Sequence, residues 1–250
     1  LHEPYRRQRQ MCIRDSIDNM LMQEPLPTTL GFPMFPYSNV GSMRNTGWEF
    51  GITYRKAWSD FNFTASANIS TYKNEVTSLG NGDAIYGHAF DNVTVLTKTE
   101  VGQPVGYFYG YATNGIFQNE EQVEGSAQRE SAKPGDIRFK DLNSDDVLDE
   151  QDRTKIGDPW PDFVYGLSLG ATWKGFDFSM TWSAAFKTSR LLSSMYRVPF
   201  GESNNSAVMK YMIEDAWTPE KGNSAKAPAL SFKSKSHNYQ DSDLWLRDAS

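Results

Sequence analysis

Residues 163–186 read FVYGLSLGATWKGFDFSMTWSAAF, and the alternation along them decides the fold. Phe163, Tyr165, Leu167, Leu169, Ala171 and Trp173 fall on one side of an extended chain. Val164, Gly166, Ser168, Gly170, Thr172 and Lys174 fall on the other. Past Lys174-Gly175 the pattern resumes, with Phe176, Phe178, Met180, Trp182, Ala184 and Phe186 opposed to Asp177, Ser179, Thr181, Ser183 and Ala185. A period of two held over about ten residues is a strand signal, and a glycine suits the tight turn of a hairpin. About ten residues is also what a tilted strand needs to cross a bilayer.

The same signature occurs upstream. Trp48, Phe50, Ile52 and Tyr54 oppose Glu49, Gly51, Thr53 and Arg55; then Phe61, Phe63, Ala65, Ala67 and Ile69 oppose Asp60, Asn62, Thr64, Ser66, Asn68 and Ser70. These two segments meet around Ser59-Asp60 and form a second predicted hairpin. Between the hairpins lie roughly 90 residues, 72–162, and about 55 more follow, 187–241. Short turns at one end and long connections at the other are the asymmetry of outer-membrane barrels. Aromatic residues gather at the strand ends (Trp48, Phe61, Phe63, Phe163, Tyr165, Trp173, Phe176, Phe186), with Ala, Leu and Ile between them, like two girdles flanking an apolar band. The other face is Ser, Thr, Asn and Gly, as a wet interior requires. Alternation alone leaves a soluble β-sandwich open. The expected fold is all-β, a partial transmembrane antiparallel β-barrel with long extracellular loops. In it Leu167, Leu169, Ala171, Met180 and Ala184 face lipid, the turns at Ser59-Asp60 and Lys174-Gly175 are periplasmic, and residues 73–162 and 187–240 are extracellular.

Composition agrees. Hydrophobic residues are 38% of the 250, aromatics 14%, and mean hydropathy is −0.60. No run of 18 apolar residues occurs, so no membrane-spanning helix is expected. A net charge of −6 without a basic cluster argues against nucleic acid as partner. The opening Leu1 to Ser16, LHEPYRRQRQMCIRDS, has no apolar core and is not a signal peptide. Its RRQRQMCIRDS resembles translated sequencing-adapter DNA, so residues 1–16 are expected to be a non-native scar and 17–250 the protein proper. Without the scar's four Arg, Glu3 and Asp15, the chain holds 21 basic and 29 acidic side chains, net −8. The single cysteine, Cys12, goes with the scar, which removes thiolate metal sites and cysteine nucleophiles.

One chemical motif stands out: Asp141-Leu-Asn143-Ser-Asp145-Asp-Val147-Leu-Asp149-Glu-Gln-Asp152. Oxygen donors at positions 1, 3, 5, 9 and 12, with a backbone carbonyl at 7, reproduce the spacing of a calcium loop, because Ca²⁺ takes six to eight hard oxygen ligands. The expected ligands are Asp141, Asn143, Asp145, the Val147 carbonyl, Asp149 and Asp152, holding one structural Ca²⁺ or similar cation. Two departures weaken the match: Asp146 stands where Gly allows a sharp turn, and Asp152 where a longer Glu would chelate. An acidic solvated turn is the other reading.

The residues around this loop carry a family resemblance. PGDIRFKDLNSDDVLDEQDRTKIGDPWPDFVYG (134–166) closely resembles the pattern PGDIKYKDLNGDGVIDxxDRxxIGxPxPDFxYG of SusC/RagA-type TonB-dependent outer-membrane transporters. GSMRNTGWEFGITYR (41–55), VGQPVGYFYGYATNGIFQ (101–118) and DLWLRDAS (243–250) agree in order and spacing with the C-terminal part of that barrel. The resemblance implies a many-stranded barrel in the cell outer membrane, with an N-terminal plug and a TonB box that this stretch lacks. It also implies a SusD-like lipoprotein cap, engagement of the TonB complex, and import of a nutrient, either an oligosaccharide or a peptide. The chain is accordingly expected to be a C-terminal barrel fragment without its final strands. A secreted calcium-binding β-sandwich that binds carbohydrate is the alternative.

Enzymatic readings have little support. His88 and His237 stand alone, and no G-x-S-x-G, H-E-x-x-H or P-loop occurs. The acidic residues form no separable acid and base pair. The sequons at Asn62, Asn68 and Asn92 carry no weight in a bacterial barrel. Tyr107, Phe108, Tyr109, Tyr111 and Trp160 could stack on sugar rings, but packing is the favoured role.

Overall fold

Extended backbone begins well before the first predicted strand. The computed structural model describes residues 5–23, 37–80, 82–88, 95–192, 197, 199, 208–231 and 237–250, and it places β1 at Tyr5–Gln23 and β2 at Tyr37–Ala57. Strand β3 (Phe61–Thr71) follows a turn closed by the Trp58 N–H donating to the Phe61 carbonyl at 2.7 Å, and β4 (Lys73–Leu79) comes directly after it. The long middle segment carries β5 (Ile85–His88), β6 (Val95–Thr99), β7 (Tyr107–Tyr111), β8 (Thr113–Ile116), helix α1 (Glu120–Glu124), β9 (Ile137–Phe139) and β10 (Arg153–Gly157). The second predicted hairpin is β11 (Phe163–Trp173) and β12 (Phe176–Phe186), with the bounds its alternation gave. Strand β13 (Ser189–Leu191), helix α2 (Lys210–Asp215) and β14 (Leu246–Asp248) complete the order.

The main sheet runs β1-β2-β3-β11-β12, antiparallel throughout, with β4 also paired to β2. Strands β3 and β11 are joined by the long middle segment, yet they pair residue for residue from Thr71↔Phe163 to Phe61↔Trp173. That segment therefore leaves and re-enters the wall at one place. At the opposite end Lys174 (φ 46°) and Gly175 (φ 88°) are both left-handed, the conformation of a two-residue turn that matches strand twist.

Register explains the faces. Phe50 lies opposite Ile69, Ile52 opposite Ala67, Leu167 opposite Ala67 and Trp182, and Leu169 opposite Ala65 and Met180. One face of four strands is thus apolar through its middle, with Lys56 opposite Phe63 and Thr71 opposite Phe163 only at its ends. The other carries Thr53, Ser66, Asn68, Gly166, Ser168, Thr181 and Ser183, linked by contacts such as Thr53 Oγ1 to Ser66 Oγ at 3.1 Å. No second sheet covers the apolar face among the described residues: Phe176 is 74% exposed, and Phe178 and Trp182 are 57% exposed. A sandwich would have buried them. This is a curved piece of barrel wall whose apolar side meets lipid.

β2 is longer than its alternation suggested. At 21 residues it reaches about 70 Å, twice what a membrane crossing uses. Its C-terminal half pairs with β3 in the wall, and its N-terminal half pairs with β4 beyond it. The strand shifts partner at Gly47, where an added Cβ would lie 1.9 Å from the Thr71 carbonyl oxygen. Alternation hid this upper half because the packing there changes.

Residues 5–16 form part of β1 at the sheet's edge, out of phase with the wall. Gln8, Gln10 and Cys12 pair with Ile52, Phe50 and Trp48 on the apolar face, while Met11 and Ile13 fall opposite Glu49 and Gly47. Backbone hydrogen bonds suffice to hold any sequence against an exposed edge.

Candidate functional site

The buried hydrophobic residues of the described chain all lie outside the main wall strands. Val76 and Leu79 are on β4, and Tyr107, Tyr111, Phe117, Val123, Ile137, Phe139, Met212, Tyr239 and Trp245 come from the two long segments. Those segments, expected as long extracellular loops, fold into a body with its own core. Strands β5, β6, β7 and β10 make one small sheet, and β8 with β9 and β13 with β14 make two ribbons. A central cluster joins Tyr111, Ile137 and Phe139 of the first segment to Tyr239 and Trp245 of the second.

Polar groups fix that union. Asn238, fully buried, accepts from the Ile137 N–H at 2.8 Å, donates to Asp136 at 2.7 Å, and takes the Trp245 indole N–H on its carbonyl at 2.9 Å. The Asp243 carboxylate receives the Thr113 N–H at 3.0 Å and the Thr113 hydroxyl. The Tyr111 N–H donates to the Asp241 carbonyl, and the Asp241 carboxylate forms a buried ion pair with Arg197. Asn238, Asp241 and Asp243 went unread in the sequence, although Asp243 opens the DLWLRDAS stretch that carried part of the resemblance.

The acidic loop sits beside this core and closes on itself. Asp141 accepts from the N–H groups of Ser144 (2.6 Å) and Asp146 (2.9 Å). Asp145 accepts from the Val147 N–H and the Asn143 amide, and Asp149 from the Gln151 N–H. Asp152, wholly buried, takes the Leu142 N–H at 2.7 Å and the Asp149 N–H at 3.0 Å, tying the two ends of the loop together. Asp146 adopts φ 63°, so it supplies the left-handed turn that glycine would otherwise give. Among the described residues no group of three or more His, Cys, Asp and Glu side chains gathers as a metal set. The Val147 side chain is exposed.

The small sheet carries one face of alternating rings and charges. Tyr86, Lys98, Tyr107, Tyr109 and Lys155 meet across β5, β6, β7 and β10. Lys98 lies 5.1 Å above the Tyr109 ring and 2.7 Å from Glu100, which also accepts the Tyr107 hydroxyl at 2.7 Å. Burial works against the Glu100 carboxylate, but the hydrogen bonds from Lys98 and Tyr107 and the Lys98 charge outweigh it and hold its pKa below the usual value. Burial, then the bond to Glu100, pushes the Tyr107 phenol upward. Tyr107 and Tyr111 are thus packing residues, whereas Trp160 is half exposed. The Asn92 sequon and the side chains of His88 and His237 lie outside the described residues.

No protein-family model matches the chain. TonB-dependent receptor P3 of Formosa agariphila is 30% identical over 238 residues, covering 92% of this chain and 23% of that protein. TonB-dependent receptor SusC of Bacteroides thetaiotaomicron is 29% identical over 171 residues, 67% of this chain and 16% of SusC. Among solved structures, the RagAB peptide transporter superposes with TM-score 0.67 and 24% identity over 94% of this chain and 24% of that one. The RagAB peptide importer in its closed-closed state gives 0.66 and 23% over 98% and 25%. The chain spans about a quarter of these relatives or less. These relatives are receptors and transporters by name rather than enzymes, and the fold of the wall is shared with them: the chain is a segment of a SusC/RagA-type TonB-dependent transporter barrel of the outer membrane.

Proposed function

We propose that the protein carrying this segment imports a nutrient across the outer membrane in a TonB-dependent manner. The observation behind the reading is the four-strand register that sets a continuous apolar face against lipid and a hydroxyl- and amide-rich face against the lumen. On this reading the fused loop body stands over the lumen and offers a surface to a SusD-like lipoprotein, and energy reaches the barrel through the TonB complex by way of parts outside this chain. The solute is an oligosaccharide or a peptide; the RagAB relative is a peptide transporter. Uptake of a labelled solute pool by cells expressing the full-length protein should fall to background when TonB is deleted. Equal uptake with and without TonB would contradict the proposal.

Two smaller readings accompany it. Residues 1–16 are proposed as foreign, supported by the phase mismatch of Gln8, Gln10, Met11 and Ile13 against the wall. Resequencing the locus should give different codons upstream of Ile17. The acidic loop is proposed to accept Ca²⁺ as an added brace on the remaining lone pairs of Asp141, Asn143, Asp145 and Asp149, the Val147 carbonyl and Asp152, with affinity of ~10⁻⁴ M or weaker. Calorimetry of the full-length protein, with and without the Asp141→Ala, Asp145→Ala double change, checks it: equal heats would leave only a hydrogen-bonded turn.

A further inference from the structure

At the upper rim of the wall the strand pairing parts. Pairing of β3 with β11 ends at Thr71↔Phe163, and β4 goes on beside β2 while the chain before Phe163 turns away. The free edge of β4 is met by a loop, with the Val76 N–H donating to the Gln103 carbonyl and the Gly102 N–H to the Val76 carbonyl. Between this loop, the strand ends and residues 158–162 lies a groove of about 690 Å³, within the size of small-molecule sites.

Its lining has two properties. Trp48, Thr71 and Phe163 are the topmost residues of the apolar face, so the groove opens at the level of the upper aromatic girdle, beside lipid. Trp48, Tyr72 and Trp160 present rings that are 43%, 45% and 50% exposed, and Trp160 is held in place by its indole N–H donating to the Val105 carbonyl at 2.9 Å. The charges beside them balance. The lining carries Lys73 and Lys155 against Asp158 and Asp162. Lys155 lies 3.0 Å from Asp158, Lys73 3.3 Å from Glu75, and Asp162 3.4 Å from Lys187 just outside the groove, partly or wholly exposed pairs of the kind that exchange partners at little cost.

An anion site would show an excess of cations, and a purely apolar lipid contact would show no carboxylates. Fixed aromatic platforms beside paired donors and acceptors suit a sugar, whose ring faces stack and whose hydroxyls both give and accept hydrogen bonds. We infer that this groove binds the saccharide headgroup of an outer-leaflet glycolipid. Its place at the lipid boundary favours a membrane-anchored sugar over a solute passing through the lumen. The inference depends on the outer-membrane placement and not on import, so a transport assay and the test below fail independently.

The test uses the full-length receptor, extracted in mild detergent and incubated with purified lipopolysaccharide. Native mass spectrometry reads the retained glycolipid in wild type, Trp160→Ala, Tyr72→Ala and Trp182→Ala, the last an aromatic control in the middle of the lipid face, opposite Leu167 and away from the groove. All four must keep the heat-modifiable mobility of a folded barrel; of the two groove variants, whichever folds is scored. Retention at least tenfold lower than in Trp182→Ala is expected, with the deacylated core oligosaccharide competing at least tenfold more weakly than intact lipopolysaccharide. Retention equal to Trp182→Ala would overturn the site. Competition by the free oligosaccharide at the same concentration as the intact lipid would overturn the glycolipid assignment and make the groove a soluble-glycan subsite.

Discussion

Gly47 is the residue on which the wall's upper half turns. Its missing Cβ lets β2 pass 1.9 Å, measured from where that atom would stand, from the Thr71 carbonyl oxygen, and the obstacle is backbone that no rotamer can move. Gly47→Ala should therefore cost roughly 1–3 kcal/mol, as overpacking does elsewhere, and lower the urea midpoint of the full-length barrel; an unchanged midpoint would refute the packing argument. Glu100 shows a residue whose charge matters. Its pKa lies below the ordinary 4.5, so the stability it lends is present above that value and is lost as pH falls through the folded-state pKa. Protection factors of the β6 and β7 amides, corrected for the pH dependence of intrinsic exchange, should be smaller at pH 3 than at pH 6, and Glu100→Gln should flatten that difference. The same pH response in the variant would assign it to another group.

At the scale of elements, adjacent positions on β11 should behave as opposites. Leu169→Arg places a charge against lipid and should cost roughly 2–4 kcal/mol near the midplane, whereas Ser168→Arg points into the wet interior and should leave assembly nearly unchanged. Similar assembly yields for the two would contradict the facing. These wall strands were legible because one side must be apolar and the other polar at every second residue, and β11 and β12 came out with their full bounds. The upper half of β2 was not legible: Gly41 to Thr46 pairs with β4 beyond the membrane, where no lipid imposes a period of two. The strands β5 to β10 escaped for a related reason. Each is five residues or shorter, too brief for a pattern, and their order comes from contacts between distant segments such as Ile137 with Asn238. In the acidic loop the spacing announced a folded turn, and the turn is there; that Asp146 could take the glycine conformation and that Asp152 would serve as the internal tie required coordinates.

For the whole molecule, the loop body is expected to stand or fall as a unit. Asn238→Ala removes a side chain that bonds Ile137 and Asp136 at once and leaves a buried N–H without its acceptor, which costs about 1–3 kcal/mol. Limited proteolysis should then cut within 208–231 while the wall strands stay intact, and resistance equal to wild type would show that the two segments are held by other means. The central claim is that these segments stand outside the cell, on a wall that crosses the outer membrane. Its most direct measurement is labelling of intact cells with a membrane-impermeant maleimide. The full-length receptor, with any cysteine outside this segment replaced by serine, would carry either Asp83→Cys, in the long segment, or Ser59→Cys, in the tight turn. The account predicts strong labelling at position 83 and none at position 59 until the cells are broken. Labelling at position 59 on intact cells, or silence at position 83, would contradict it.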